Sequence, residues 1–157
     1  MNIGFESPEQ LSLYMQDFKY KDFDALMSAS DVGSRGEGSC HDQTLYIYNI
    51  LDMLGLDPKA KFLMAVDKDN VGEETHSFVY WLEDDSAYWF ENAWEDYKGI
   101  HEFKSEQDLL DFVSNAFAER NPHKYIYMSS FNPTEHEIGE DLDTFVDICM
   151  NDAEPIM

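Results

Sequence analysis

Basic residues are scarce in this sequence. Ten lysines and arginines stand against 33 aspartates and glutamates, for a formal net charge of −23. A surface of that sign repels phosphate, which excludes nucleic acid as a partner and disfavours an anionic membrane face. A basic protein or peptide would instead be steered in. Cysteine is equally sparse, with Cys40 and Cys149 alone in 157 residues, too few for a disulfide framework. No Cys-x-x-Cys pair and no His/Cys spacing of the zinc kind occurs. His41 and Asp42 beside Cys40 have no second ligand cluster to complete a site, so neither a metal nor a cofactor is expected. Long apolar runs are missing too, and none approaches the roughly 20 residues of a membrane span. The first residues, Met1 to Glu9, carry neither a basic nor an apolar signal region, and the expectation is a cytoplasmic protein with no membrane partner.

What is present is a chain able to bury a core, with 43% hydrophobic and 15% aromatic residues. No internal repeat and no domain boundary is visible, so the expectation is a single α+β domain over residues 1–157, with an acidic C-terminal segment at 134–157. Ser7-Pro8-Glu9-Gln10 opens a first helix with a capping box, and Leu11, Tyr14, Met15 and Phe18 form its apolar face. Phe23, Leu26 and Met27 suggest a short second helix, and Ser28 to Ser39 reads as a loop. A longer helix spans Asp42 to Leu54, ended by Gly55 and Pro58. Strands are expected at 60–66, 75–82 and 88–91, joined in an antiparallel meander, with a fourth at 98–103. Ser105 caps another helix that stops before Asn121-Pro122, and a strand comes after it at 125–128. In the acidic segment Leu142, Phe145, Val146, Ile148 and Cys149 have the spacing of a short amphipathic helix, with Cys149 buried and inert.

The chemistry centres on Gly38-Ser39-Cys40-His41-Asp42-Gln43. A glycine-rich approach brings Cys40 to a helix N-terminus, where free N–H groups and the helix dipole favour an anion. The thiolate, cysteine's reactive form, is such an anion. His76 shares a strand face with Phe78, Tyr80 and Leu82, and a polar ring on so apolar a face needs a partner. It is the candidate general base. His41 is held in reserve, because at the helix start its ring is expected to point elsewhere. Asn92 closes the next strand and would hold the second imidazole nitrogen. Glu91 is its rival, since alternation lets only one of the two face His76. Ser39 and Trp94 are the candidate substrate-binding residues, with Trp94 also placed to shield the His76 contact.

Arg35-Gly36-x-Gly38-x-Cys40 at a helix start is similar to the nucleophile motif of transglutaminase-like, papain-fold proteins. That family continues with a histidine on a strand, as in His76-Ser77-Phe78-Val79. Its third residue closes the next strand four residues after an aromatic, as Asn92 comes after Tyr88. The separations of 36 residues from Cys40 to His76 and 16 from His76 to Asn92 suit that core. The resemblance covers Gly33 to Phe103. It implies a papain/transglutaminase-like core, with the nucleophile at the N-terminus of a central helix packed on an antiparallel sheet. The family usually has aspartate at the third place, and Asn92 is closer to papain-type peptidases. The papain-type oxyanion glutamine is absent, because Ser34 occupies its position.

Together these features lead to the expectation of thiol-dependent acyl transfer on an amide, through Cys40, His76 and Asn92. The enzyme would be a cysteine peptidase, deamidase or transglutaminase, with no cofactor, acting on a protein or peptide. A second expectation, resting on charge, is an inactive acidic module that binds a basic partner on the same fold.

Overall fold

The computed structural model describes residues 4–22, 25–67, 73–133, 142–151 and 153–156. Ser7 caps α1 (Pro8–Tyr14) by accepting from the Gln10 N–H. The Gln10 side chain reaches back to the Glu6 N–H at 2.9 Å, one residue before the capping-box position. Leu11 of α1 and Met15 of the adjoining 3₁₀ turn are fully buried.

The stretch leading to Cys40 departs from expectation. Leu26 and Met27 lie in irregular chain, and Phe23 falls outside the described residues. The helix forms later, as α2 (Ala29–Arg35), where a loop was expected. Its start is set by Ser28, whose side chain accepts from the Asp31 N–H, and its end by Gly36 in the left-handed region at φ 64°. Gly33, a poor helix residue in general, is required by packing. A Cβ there would come within 2.7 Å of the Tyr46 ring. Two short parallel strands, β1 (Lys19–Tyr20) and β2 (Glu37–Gly38), then pair just ahead of Cys40.

Helix α3 (Cys40–Met53) starts two residues before the expected boundary. Six further strands form one sheet: β3 (Lys59–Asp67), β4 (Glu73–Glu83), β5 (Ser86–Glu91), β6 (Gly99–Phe103), β7 (Lys124–Phe131) and β8 (Glu154–Pro155). Their order is β6-β5-β4-β3-β7-β8, and every neighbouring pair is antiparallel. The chain is thus α+β with an antiparallel sheet, completed by α4 (Glu106–Arg120) and α5 (Leu142–Asn151).

Strand alternation sorts the core into two faces. Leu63, Phe78, Tyr80 and Trp89 pack with Leu109, Val113 and Phe117 of α4. The residues between them point the other way. Val79, Trp81 and Phe90 meet Ile47, Ile50 and Leu51 of α3, while Phe62 and Met64 meet Phe145 and Cys149 of α5. Burying an aromatic or branched side chain of this kind contributes about 1.5–3 kcal/mol. No described helix is long and apolar enough to cross a membrane.

The β4–β5 turn decides which side chains face which layer. It has two residues, Asp84 and Asp85, with Asp84 at φ 54°, and it pairs Glu83 with Ser86 and Val79 with Phe90. Side chains on either side of Phe90 therefore fall on the face of Trp89, Tyr80 and Phe78.

Packing at Gly38 generates a prediction. A Cβ at this position would stand 2.8 Å from the Asp42 Cβ, inside the cap of α3. Gly38→Ala should destabilise the fold by about 1–3 kcal/mol. The check is a lower urea midpoint with an unchanged slope. An unchanged midpoint would contradict this packing.

Candidate active site

Cys40 is the first residue of α3, and a capping box builds its position. The Ser39 hydroxyl accepts from the Asp42 N–H at 3.2 Å, and the Asp42 carboxylate accepts from the Ser39 N–H at 3.2 Å. The other Asp42 oxygen accepts from the Met27 N–H at 3.1 Å and ties down the chain ahead of α2. The first intrahelical bond runs from the Gln43 N–H to the Ser39 carbonyl. Of the N–H groups that a helix start leaves open, those of Cys40 and His41 remain for a ligand. Ser39, expected to touch substrate, is instead consumed by the cap. It is 3% exposed and does not line the cavity beside Cys40.

His76 of β4 packs against Phe78 and takes the Trp94 ring edge-on, with centroids 6.3 and 5.3 Å away. Its Nε2 is 2.7 Å from Glu91 Oε1. The second Glu91 oxygen accepts from the Asn92 and Trp94 N–H groups at 2.9 and 3.1 Å. Both side chains are buried. The expected Asn92–His76 contact is therefore corrected, and Glu91 orients the imidazole. The reason is register. A three-residue turn would have put Asn92 on the His76 face, whereas the two-residue turn puts Glu91 there.

Asn92 faces the other way and donates to Gln43 Oε1 at 2.8 Å. Gln43 in turn donates to the Gly38 carbonyl at 3.0 Å. Asn92 thus braces the loop before Cys40 rather than His76.

His41 does not point away as expected. Its ring sits between Phe62 and Phe145, bonds to the Ser77 hydroxyl through Nδ1 and to Thr75 Oγ1 through Nε2 at 3.3 Å, and its charge acts on the adjacent Cys40 thiol. Sequence reasoning missed Tyr20 altogether. Its hydroxyl donates to Asp22 Oδ1 at 3.0 Å, and its side chain lines the cavity on which Cys40 opens. Nothing local marks a tyrosine in a two-residue strand as part of a site 20 residues on.

This geometry sets the electrostatics. Burial is the largest single influence on Cys40 and pushes its thiol up, but His41 first and then His76 outweigh it together and bring it down to about 5. For His76, burial works downward, and Glu91 followed by Cys40 overcomes it and raises the ring to about 10. Between those limits the stable form is a thiolate beside an imidazolium.

Cys40 and His76 open on a cavity of about 320 Å³, with Tyr20, Thr75, Trp94 and Phe117 in its walls. Glu74, Glu95, Asp96 and Arg120 complete it. Arg120 pairs with Glu74 at 2.9 Å and lies over the Trp94 ring, and Lys98 pairs with Glu95 at 3.4 Å, so Asp96 leaves the mouth acidic. Among the described residues no group of three or more His, Cys, Asp and Glu is placed to hold a metal. Compared with known proteins, the chain matches no family model and no curated sequence.

The two shifts set the pH dependence. The fraction of thiolate at Cys40 falls as pH drops through about 5, and it is held by the imidazolium up to about 10. Iodoacetamide alkylation of Cys40, read site by site by mass spectrometry, should rise through about pH 5 and then level off. In Glu91→Gln the imidazolium loses its main support, and the midpoint should move up towards the ordinary thiol value of 9.0. An identical profile in native protein and Glu91→Gln would contradict the assignment.

Proposed function

We propose that this chain is a cysteine acyl-transfer enzyme of transglutaminase-like type, acting on an amide carbonyl. The observation that carries the reading is the buried 2.7 Å contact between His76 Nε2 and Glu91, which leaves the other ring nitrogen for the Cys40 thiol. A carboxylate in the third place also fits the transglutaminase-like pattern better than the papain-type asparagine expected at position 92.

In the reaction, the Cys40 thiolate attacks the carbonyl carbon, and the C=O π pair becomes an oxyanion facing the free Cys40 and His41 N–H groups. Collapse of this intermediate breaks the C–N bond. The His76 proton passes to the departing amine, leaving a thioester on Cys40. Water or a second amine then attacks the thioester, His76 takes the incoming proton, and the thiolate is released. Glu91 stabilises the imidazolium in both halves without accepting its proton.

The acidic mouth at Asp96, within a chain of net charge −23, favours a basic protein or peptide as substrate. Cys40 and Cys149 are thiols and not a disulfide, which fits a reducing, cytoplasmic setting. The binding-module reading draws on charge alone, and it has no use for a buried carboxylate holding a histidine against a thiol.

The test is incubation with lysine-rich, glutamine-containing peptides, followed by mass spectrometry. Backbone cleavage, conversion of glutamine to glutamate, or joining of glutamine to lysine with loss of ammonia identifies the acyl acceptor. Cys40→Ala should reduce whichever product forms by about a thousandfold or more, and His76→Ala by a comparable factor. Product formation that survives Cys40→Ala would overturn the proposal.

A further inference from the structure

The proposed reaction places negative charge on the former carbonyl oxygen, and the helix start supplies donors from one side only. Ser34, at the position of the papain-type glutamine, belongs to α2 and is absent from the cavity wall. The complementary donor has to come from another element.

Tyr20 is that element's side chain. Strand β1 is two residues long and, among the described residues, pairs only with β2, the dipeptide two residues ahead of Cys40, placing Tyr20 opposite Gly38. The neighbouring peptides are pinned as well. The Lys19 N–H donates to the Gly36 carbonyl at 3.0 Å and the Lys21 N–H to the Gly38 carbonyl at 3.1 Å. So short a pairing adds little to the core, but it fixes the Tyr20 backbone to the loop that positions the nucleophile. Tyr20 is half exposed at 54%, and its side chain lines the same cavity as Cys40 and His76.

We propose that Tyr20 is a catalytic residue, its hydroxyl the side-chain donor that completes the oxyanion site opposite the Cys40 and His41 N–H groups. The inference rests on the acyl-transfer reading and names a further residue of the same site. The hydroxyl has one proton to donate. In the resting protein the Asp22 carboxylate accepts it at 3.0 Å. As sulfur bonds to carbon its negative charge moves to oxygen, and the donation turns to that oxygen. The contact is therefore stronger in the transition state than in the ground state, as catalysis requires. No proton leaves Tyr20. Burial, then Cys40 and Asp22, push its ionisation upward, so the donor persists across the range in which Cys40 is a thiolate.

The test compares two reactions at one sulfur. Acylation by p-nitrophenyl acetate passes through an oxyanion, whereas alkylation by iodoacetamide displaces iodide and forms none. Both rates are measured at Cys40 in native protein and Tyr20→Phe, with site assignment by mass spectrometry and Cys40→Ala as background. Tyr20→Phe should slow acylation by about a hundredfold. Alkylation should stay within about threefold, showing that fold, access and thiolate persist. Acylation as fast in Tyr20→Phe as in native protein, or an equal loss in both reactions, overturns the role of Tyr20 and leaves the Cys40–His76 reading standing. Native protein that is alkylated but never acylated at Cys40 overturns the acyl-transfer reading, and the Tyr20 inference with it.

Discussion

Neither His76 nor Glu91 has reason to be buried without the other. Desolvation alone would neutralise both, and truncating one partner of such a pair costs about 3–5 kcal/mol, because the other charge is stranded. The pair persists because every acceptor is used. One Glu91 oxygen takes His76, and the other takes two backbone N–H groups from residues 92 and 94. The same carboxylate therefore orients His76, closes the end of β5 and sets the path of the chain into Trp94, which walls the cavity. Cys40 depends on this in turn, since a buried thiolate needs a nearby cation.

Glu91 and Asn92 divide the work across the sheet. Alternation turns them to opposite faces, Glu91 towards His76 and Asn92 towards α3. Asn92 reaches Gln43, Gln43 reaches the Gly38 carbonyl, and the loop before Cys40 is thereby fixed to the strand end that holds His76. Two consecutive residues thus register the two halves of the site against each other. Gly38 completes the arrangement by being small, because the Asp42 side chain occupies the space of a Cβ.

Much of this could be read from the residues. Ser39, Asp42 and the apolar spacing beyond them mark the start of α3 and hence the place of Cys40. The alternation of His76, Phe78 and Tyr80 marks a buried strand face with a polar intruder. What escaped reading depends on single-residue counting or on distant packing. The choice between Glu91 and Asn92 turned on whether the Asp84–Asp85 turn has two residues or three, and one residue of slip exchanges the faces. Helix α2 was hidden because Gly33 argues against a helix until Tyr46 is seen beside it. Tyr20 and the inward ring of His41 carry no local pattern, and only the β1–β2 pairing and the approach of Phe62 and Phe145 bring them to the thiol.

The central claim is the charge state of His76. Nitrogen-15 NMR of its ring, assigned by comparison with His76→Gln, tests it directly. The account predicts that both ring nitrogens carry protons at neutral pH and keep them until the pH approaches about 10. A neutral ring at pH 7 with an ordinary midpoint near 6.5 would contradict it, and would remove the support that His76 adds to that of His41 for the Cys40 thiolate.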